Sequence, residues 1–319
     1  MSLSPLKIYQ DLKENKLDRK TAAEILLMLI ENSEDDNVRI ESVRFLKKIG
    51  IKNDKLFKIL EDLLISDLNE RVRYMAALYI KDFFLERSLS LIKWAVQYES
   101  DYFCLLVFIQ SLADLKNQES KSILINMIKD IRKTKYLDEK NKIENKKFKR
   151  SIKKLMKKVK FEIWSHEKLA EIIVNYLTIS ELTKKFYSVY FELENSLVVK
   201  LDLADVEYEV RGWKADFKNN IQEISEIIGL INLEHLTHLN LSNNQISNIK
   251  ELIKFRNLTH LYLFNNKISD LKNLEYIKEI PNLKYIDISG NPITQYLSPD
   301  YFNSGNFKDI QIVLRKTIF

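Results

Sequence analysis

The sequence predicts a repeat protein in two parts, an all-α solenoid followed by an α/β solenoid of strand-and-helix units, and three observations carry that prediction. An apolar frame returns three times between Leu236 and Ile293. Two helical passages sharing a Val-Arg pair stand 72 − 38 = 34 residues apart near the start of the chain. The 319 residues, 45% hydrophobic and 30% charged, have an ordinary folded composition and suit two cores rather than one.

From Leu6 to about Ile131 the pattern is helix after helix, with almost no strand alternation. Thr21 to Ile30 is apolar on most sides, which predicts burial. Asp36-Asn-Val38-Arg39-Ile-Glu-Ser-Val43-Arg-Phe-Leu46 returns as Glu70-Arg-Val72-Arg73-Tyr-Met-Ala-Ala77-Leu-Tyr-Ile80, and a weaker copy without the Arg opens at Asp101-Tyr-Phe103-Cys104. Between the first two lies Leu56, Ile59, Leu60, Leu63 and Leu64, the stripe of an amphipathic helix. On these passages residues 20–130 resemble HEAT repeats, paired helices stacked into an α-solenoid. In that family the acidic residue and the Arg form a ladder inside the solenoid, so the resemblance gives Arg39 and Arg73 a structural role. The helical domain is expected over 1–160.

Arg132 to Lys160 differs sharply in charge. It holds fourteen Lys and Arg against Asp138, Glu139 and Glu144, a net of 14 − 3 = +11, whereas the whole chain is +6. Phe148, Ile152, Leu155 and Val159 follow a 4, 3, 4 spacing and predict an amphipathic helix. Its outer face would carry Lys146, Lys147, Lys149, Arg150, Lys153, Lys154, Lys157 and Lys158. Two readings stay open: a final solenoid helix with a solvated lysine face, or an electrostatic landing site for nucleic acid or an anionic membrane. Few aromatics interleave these lysines, which argues against base stacking.

Residues 161–186 read as a helical connector, in which Thr178-Ile-Ser-Glu181 matches a capping box opening a short helix. At 187 the pattern turns β-like, and the α/β domain is expected over 187–319. Tyr187 to Leu193 and Leu197 to Leu203 flank Asn195-Ser196, a hairpin that would cap the open edge of the array. Beyond Leu203 the frame is interrupted, and the Asn due three residues on appears only at Asn219. The insertion, 205–218, includes Tyr208, Arg211 and Trp213. Such a loop is either functional or a cover in which Trp213 folds back over the end of the array.

Leu236-Thr-His-Leu239-Asn-Leu241-Ser-Asn-Asn244-Gln-Ile246 recurs as Leu258-Thr-His-Leu261-Tyr-Leu263-Phe-Asn-Asn266-Lys-Ile268. It returns, degraded, as Leu283-Lys-Tyr-Ile286-Asp-Ile288-Ser-Gly-Asn291-Pro-Ile293, so the steps are 258 − 236 = 22 and 283 − 258 = 25 residues. In a strand Leu239 and Leu241 face one way and His238, Asn240 and Ser242 the other. Each Asn stands where the chain must turn and can bond the backbone there. Ile246, Ile249, Leu252 and Phe255, like Ile268, Leu271, Leu274, Ile277 and Ile280, are three apart and predict a helical or 3₁₀ return. This LxxLxLxxNxL frame resembles the leucine-rich repeat family in its short, 22-residue form. The resemblance covers roughly a third of the chain and implies a binding solenoid. Proteins of this type commonly bind and regulate other proteins, phosphatases and small GTPases among them. Ile310, Val313, Leu314 and Ile318 form a helix-compatible stripe expected to cap the last strand.

The chemistry is read largely from exclusions. Five scattered glycines cannot build a P-loop or a dinucleotide fingerprint. A single cysteine, Cys104, excludes a thiolate zinc site and fits a reducing compartment. The N-terminus lacks the apolar core of a secretory signal, and runs such as Phe103 to Ile109 are far short of the roughly 20 residues of a membrane helix. A cytoplasmic protein without cofactor, metal or catalysis is expected. Three outward columns remain: Lys200, His238, His260 and Tyr285; Asp202, Asn240, Tyr262 and Asp287; Ala204, Ser242, Phe264 and Ser289. His238 and His260 should stack about 5 Å apart on adjacent strands. A third metal ligand could come only from Asp202 or Asp287 one column over, so recognition is favoured over metal binding. Tyr262 and Phe264, aromatic amid polar neighbours, mark an interface. The sequence thus points to a monomeric, non-catalytic adaptor. It would bind protein partners through this concave face and the helical solenoid, with the lysine-rich helix as the rival site.

Overall fold

Short polar residues punctuate the first part of the chain into helices. Ser4, Asp18, Asp35, Asn53, Asn69 and Asp101 each accept a bond from a first-turn backbone N–H, the usual way of satisfying donors that a helix start leaves open. The helices are α1 (Pro5–Lys13), α2 (Arg19–Asn32), α3 (Asp36–Ile49), α4 (Asp54–Ser66), α5 (Glu70–Phe84), α6 (Leu89–Tyr98), α7 (Tyr102–Leu115), α8 (Gln118–Lys133), α9 (Lys142–Lys158) and α10 (His166–Lys185). This computed structural model describes residues 4–133, 142–186, 188–206, 220–297, 307 and 309–315. Contacts divide the chain into two units, Met1–Asn126 with Trp164–Ala170, and Met127–Ile163 with Glu171–Phe319.

In the first unit α2 packs on α3, α4 on α5 and α6 on α7, while α3 touches α5 and α5 touches α7. Leu26, Leu46, Leu60, Ile80 and Leu112 are fully buried in its core. Arg39 and Arg73 tie successive pairs together. The Arg39 guanidinium donates to the Asp67 carboxylate at 2.9 Å and to the Ser33 carbonyl. Arg73 donates to Glu99 at 2.9 Å and to the Asp67 carbonyl. Both acceptor side chains are 7% exposed, so each pair is a part-buried bond that costs more to break than a surface ion pair.

The second unit holds a six-stranded sheet in sequence order: β1 (Tyr190–Glu194), β2 (Leu197–Asp202), β3 (His238–Asn240), β4 (His260–Tyr262), β5 (Tyr285–Asp287) and β6 (Gln311–Val313). β1 and β2 form an antiparallel hairpin; the other pairings are parallel. Asn195 and Ser196 both have positive φ, which matches the twist a two-residue hairpin turn requires. Leu201, Leu239, Leu261, Ile286 and Ile312 align across the strands. The return segments are 3₁₀ at Lys250–Lys254 and helical at α11 (Lys272–Glu279), the latter within the 25-residue step.

Asn244, Asn266 and Asn291 are buried and bond in one way. Each side-chain amide donates to its own turn and to a carbonyl of the preceding repeat, Leu203, Leu241 and Leu263 respectively. Each side-chain oxygen accepts a backbone N–H of that preceding repeat, from Ile221, Ile246 and Ile268. Asp205, Asn243, Asn265 and Gly290 share the left-handed position just before, a conformation open mainly to Gly, Asn and Asp. At Gly290 a Cβ would come within 3.2 Å of the Asn265 backbone nitrogen. In the first repeat the buried Val206 takes the place of the Asn, and Trp213 with the rest of 207–219 lies outside the described residues.

Three features differ from the sequence reading. Residues Gln311–Val313 pair with β5 as a sixth strand, where Ile310, Val313, Leu314 and Ile318 suggested a helix. Ile312 alternates into register with Ile286, and β-branched residues favour the pleat; Ile318 is outside the described residues. No short helix opens at Thr178, because α10 runs unbroken through it and buries it completely. The apolar stripe of Ile172, Ile173, Tyr176 and Ile179 carries the helix past the capping-box letters. Finally, α9 groups with the sheet rather than with the helices before it. Phe148 lies 5.5 Å from both Phe191 of β1 and Tyr176 of α10, so α9 covers what would be an open sheet edge.

Candidate functional site

The strand register brings the predicted columns together. Lys200, His238, His260 and Tyr285 are partners across β2–β5, and so are Asp202, Asn240, Tyr262 and Asp287. Their side chains are part-exposed while the leucines between them are buried.

The second column has a turn-building role that the sequence reading missed. The carboxylate or carboxamide oxygens of Asp202, Asn240 and Asp287 each accept the backbone N–H two residues on, from Ala204, Ser242 and Ser289. Tyr262 breaks this series. It has no oxygen at that reach, and the N–H of Phe264 meets no acceptor among the described residues. The Tyr262 ring instead lies 5.2 Å from Tyr285. In the third column Ser242 and Ser289 are buried, whereas Phe264 is 42% exposed and its ring edge lies over Gly290. Outward exposure was expected for all four; only Phe264 is strongly exposed.

His238 and His260 stack with ring centroids 4.2 Å apart and planes 5° from parallel, and Tyr285 extends the stack at 5.7 Å. The preceding threonines fix the rings. Thr237 and Thr259 donate their single hydroxyl protons to the carbonyls of Val199 and Thr237. Each hydroxyl oxygen also sits 2.9 Å from the Nδ1 of the following histidine. A hydroxyl has one proton, so satisfying every group puts a proton on Nδ1 and leaves Nε2 as an acceptor. Burial, then neighbouring His260 and Lys200, hold the His238 pKa below the ordinary imidazole value. His238 therefore presents a neutral acceptor at pH 7. Parallel rings aim their in-plane lone pairs side by side, which is poor geometry for one metal ion 2.0–2.1 Å from each nitrogen. No group of three metal-ligating side chains occurs among the described residues. The other two histidines are engaged elsewhere, His166 with the Asn117 carbonyl and His235 with Glu171.

A cavity of about 520 Å³ runs beside the first two columns, bordered by Lys147, Tyr190, Glu192, Asp202, His238 and Tyr262. Lys200 is ion-paired with Glu192 at 3.0 Å. Lys147 donates to the Phe191 carbonyl and lies over that ring, so this member of the basic patch faces the sheet. Tyr190 and Glu192 enter the site because β1 is an edge hairpin. Their alternation with Phe191 was the available signal.

Of the remaining basic residues, Lys146, Arg150, Lys153, Lys154, Lys157 and Lys158 are exposed and Lys149 is half-buried. Trp213 lies outside the described residues. No described helix is long and apolar enough to cross a membrane. No curated protein and no solved structure matches the chain. Residues 234–276 and 256–299 match the family model described as Leucine Rich repeats (2 copies).

Proposed function

We propose that the protein is a non-catalytic adaptor that holds a protein partner on the concave face of its leucine-rich array, centred on Tyr262 and Phe264. The observation that carries this reading is the break at Tyr262. Three members of its column cap their own turns, and only the fourth gives up that bond for an aromatic ring. In exchange for the turn bond the isolated fold gains only the ring contact with Tyr285, and a part-exposed Phe264 beside it suits an interface anchor. Leucine-rich repeats are generally protein-interaction modules, and the resemblance suggests a signalling protein such as a phosphatase or small GTPase as partner. The paired N-terminal helices, with Arg39 and Arg73 at matching positions, support a HEAT-like second surface. Two surfaces on one chain suit bringing two partners together.

The test is affinity capture from nuclease-treated lysate with the whole protein beside a Tyr262→Ala/Phe264→Ala variant of unchanged melting temperature. A discrete protein retained by the first and reduced at least about tenfold by the second is expected, since a hot-spot pair is worth ~2 kcal/mol or more. Equal retention by both would remove the concave face from the mechanism.

A further inference from the structure

We infer that the outer face of α9 is a second, independent binding surface, for the phosphate backbone of a nucleic-acid duplex. Lys146, Arg150, Lys153 and Lys157 stand at i, i+4, i+7 and i+11, within one narrow arc of the helix, and Lys154 and Lys158 flank them. At 1.5 Å per residue the row is about 16 Å long. All six are exposed, and none has an ion-pair or hydrogen-bond partner among the described residues. Elsewhere the protein pairs cations freely, as at Lys47–Asp82, Lys81–Asp114 and Lys200–Glu192. Clustering like charges without counter-charges raises their mutual repulsion, and a bound polyanion relieves it.

The structure selects among anionic partners. Phe148, Ile152 and Leu155, the apolar stripe of α9, are 1%, 0% and 4% exposed beneath the helix. They are spent on docking, so among its described side chains α9 shows no second apolar face to insert into a bilayer. Among the described residues, from Lys146 to Lys158, the outward row contains no aromatic or aliphatic anchor of the kind that dominates protein interfaces. It also lacks rings for stacking unpaired bases. What remains is a row of point charges, five of the six lysines, matched to a polymer carrying one charge per about 1.7 Å of axis. Binding of this kind reads no sequence and draws its free energy from released counterions.

The experiment measures binding of the full-length protein to a fluorescent mixed-sequence 20-bp DNA duplex by anisotropy across 50–200 mM NaCl. Six phosphate contacts predict a slope of log K against log[salt] near about −5. Lys153→Gln/Lys157→Gln, with an unchanged circular dichroism melt, should shallow that slope by about 2 units and weaken binding. Vesicles containing phosphatidylserine are run in parallel. Binding to vesicles with none to the duplex overturns the proposal, as does an unaltered slope in the variant or no duplex binding at 50 mM salt. Capture of a protein on the Tyr262 face leaves this outcome unaffected, so the two surfaces are tested separately.

Discussion

At Tyr262 the chain forgoes a hydrogen bond that Asp202, Asn240 and Asp287 each make to their own turns. Tyr262→Asn should supply the acceptor that the Phe264 N–H lacks among the described residues. A recovered bond of this type is worth about 0.5–1.5 kcal/mol, so the variant is expected to melt at a higher temperature while losing partner affinity. That combination, measured by calorimetry and capture assay, is the signature of a residue kept for function at a cost in stability. A lower melting temperature would instead place Tyr262 among packing residues. His238 gives a second handle. Its folded pKa is below the ordinary value of about 6.5, so the unfolded chain takes up the proton first. Its contribution to stability is therefore full above that pH and falls as the solution is acidified through it. His238→Gln should flatten the melting-temperature profile between pH 7.5 and 5.5; an unchanged profile would assign the acid sensitivity to other groups.

At the scale of elements, the asparagine ladder carries the array. Asn266→Ala strips partners from the Ile246 N–H and weakens the bonding of the Leu241 carbonyl, both in the buried turn. The expected loss is about 3 kcal/mol, given ~1–3 kcal/mol for each buried group left unpaired, and denaturant unfolding would measure it. Arg73→Ala leaves the 7%-exposed Glu99 without its cation and should cost several-fold more than Lys278→Ala, whose partner Glu275 is well exposed. The strands, the turn asparagines and the hairpin at Asn195-Ser196 were legible because their chemistry is local: alternation, a left-handed turn, a repeated polar letter. β6 was not, since three residues of strand carry too little pattern to separate period 2 from period 3.6. Nor was the cap column. Asp202, Asn240 and Asp287 looked like exposed recognition residues, and only three-dimensional reach shows them bonding backbone. The Thr-His repetition in 237–238 and 259–260 was visible as letters, but the single hydroxyl proton that orders both rings emerges only from the distances.

Over the whole molecule, the division of the contacts into two units implies separate responses to damage. Leu261→Ala, fully buried between strands, should raise amide hydrogen exchange throughout β3–β5 while leaving α3, α5 and α7 protected. Mass-spectrometric exchange of intact protein would show this, and a uniform rise along the chain would mean that the units unfold as one. Charge is also concentrated in one segment. The +11 of 132–160 against +6 for the chain leaves 6 − 11 = −5 for everything else, so a polyanion approaching the protein is drawn to one helix and mildly repelled elsewhere.

The direction of the asparagine bonds limits how such a chain can change in length. Asn244, Asn266 and Asn291 all reach to the repeat before them, and the first repeat, preceded by a hairpin, has Val206 there. A duplicated 22-residue module spliced in after Asn244 or Asn266 would find a carbonyl and an N–H waiting on one side and offer the same pair on the other. A partial copy would strand both. Growth by whole modules is therefore nearly silent to the fold, and an inherited or engineered array of this kind lengthens in steps, like masonry laid in full courses.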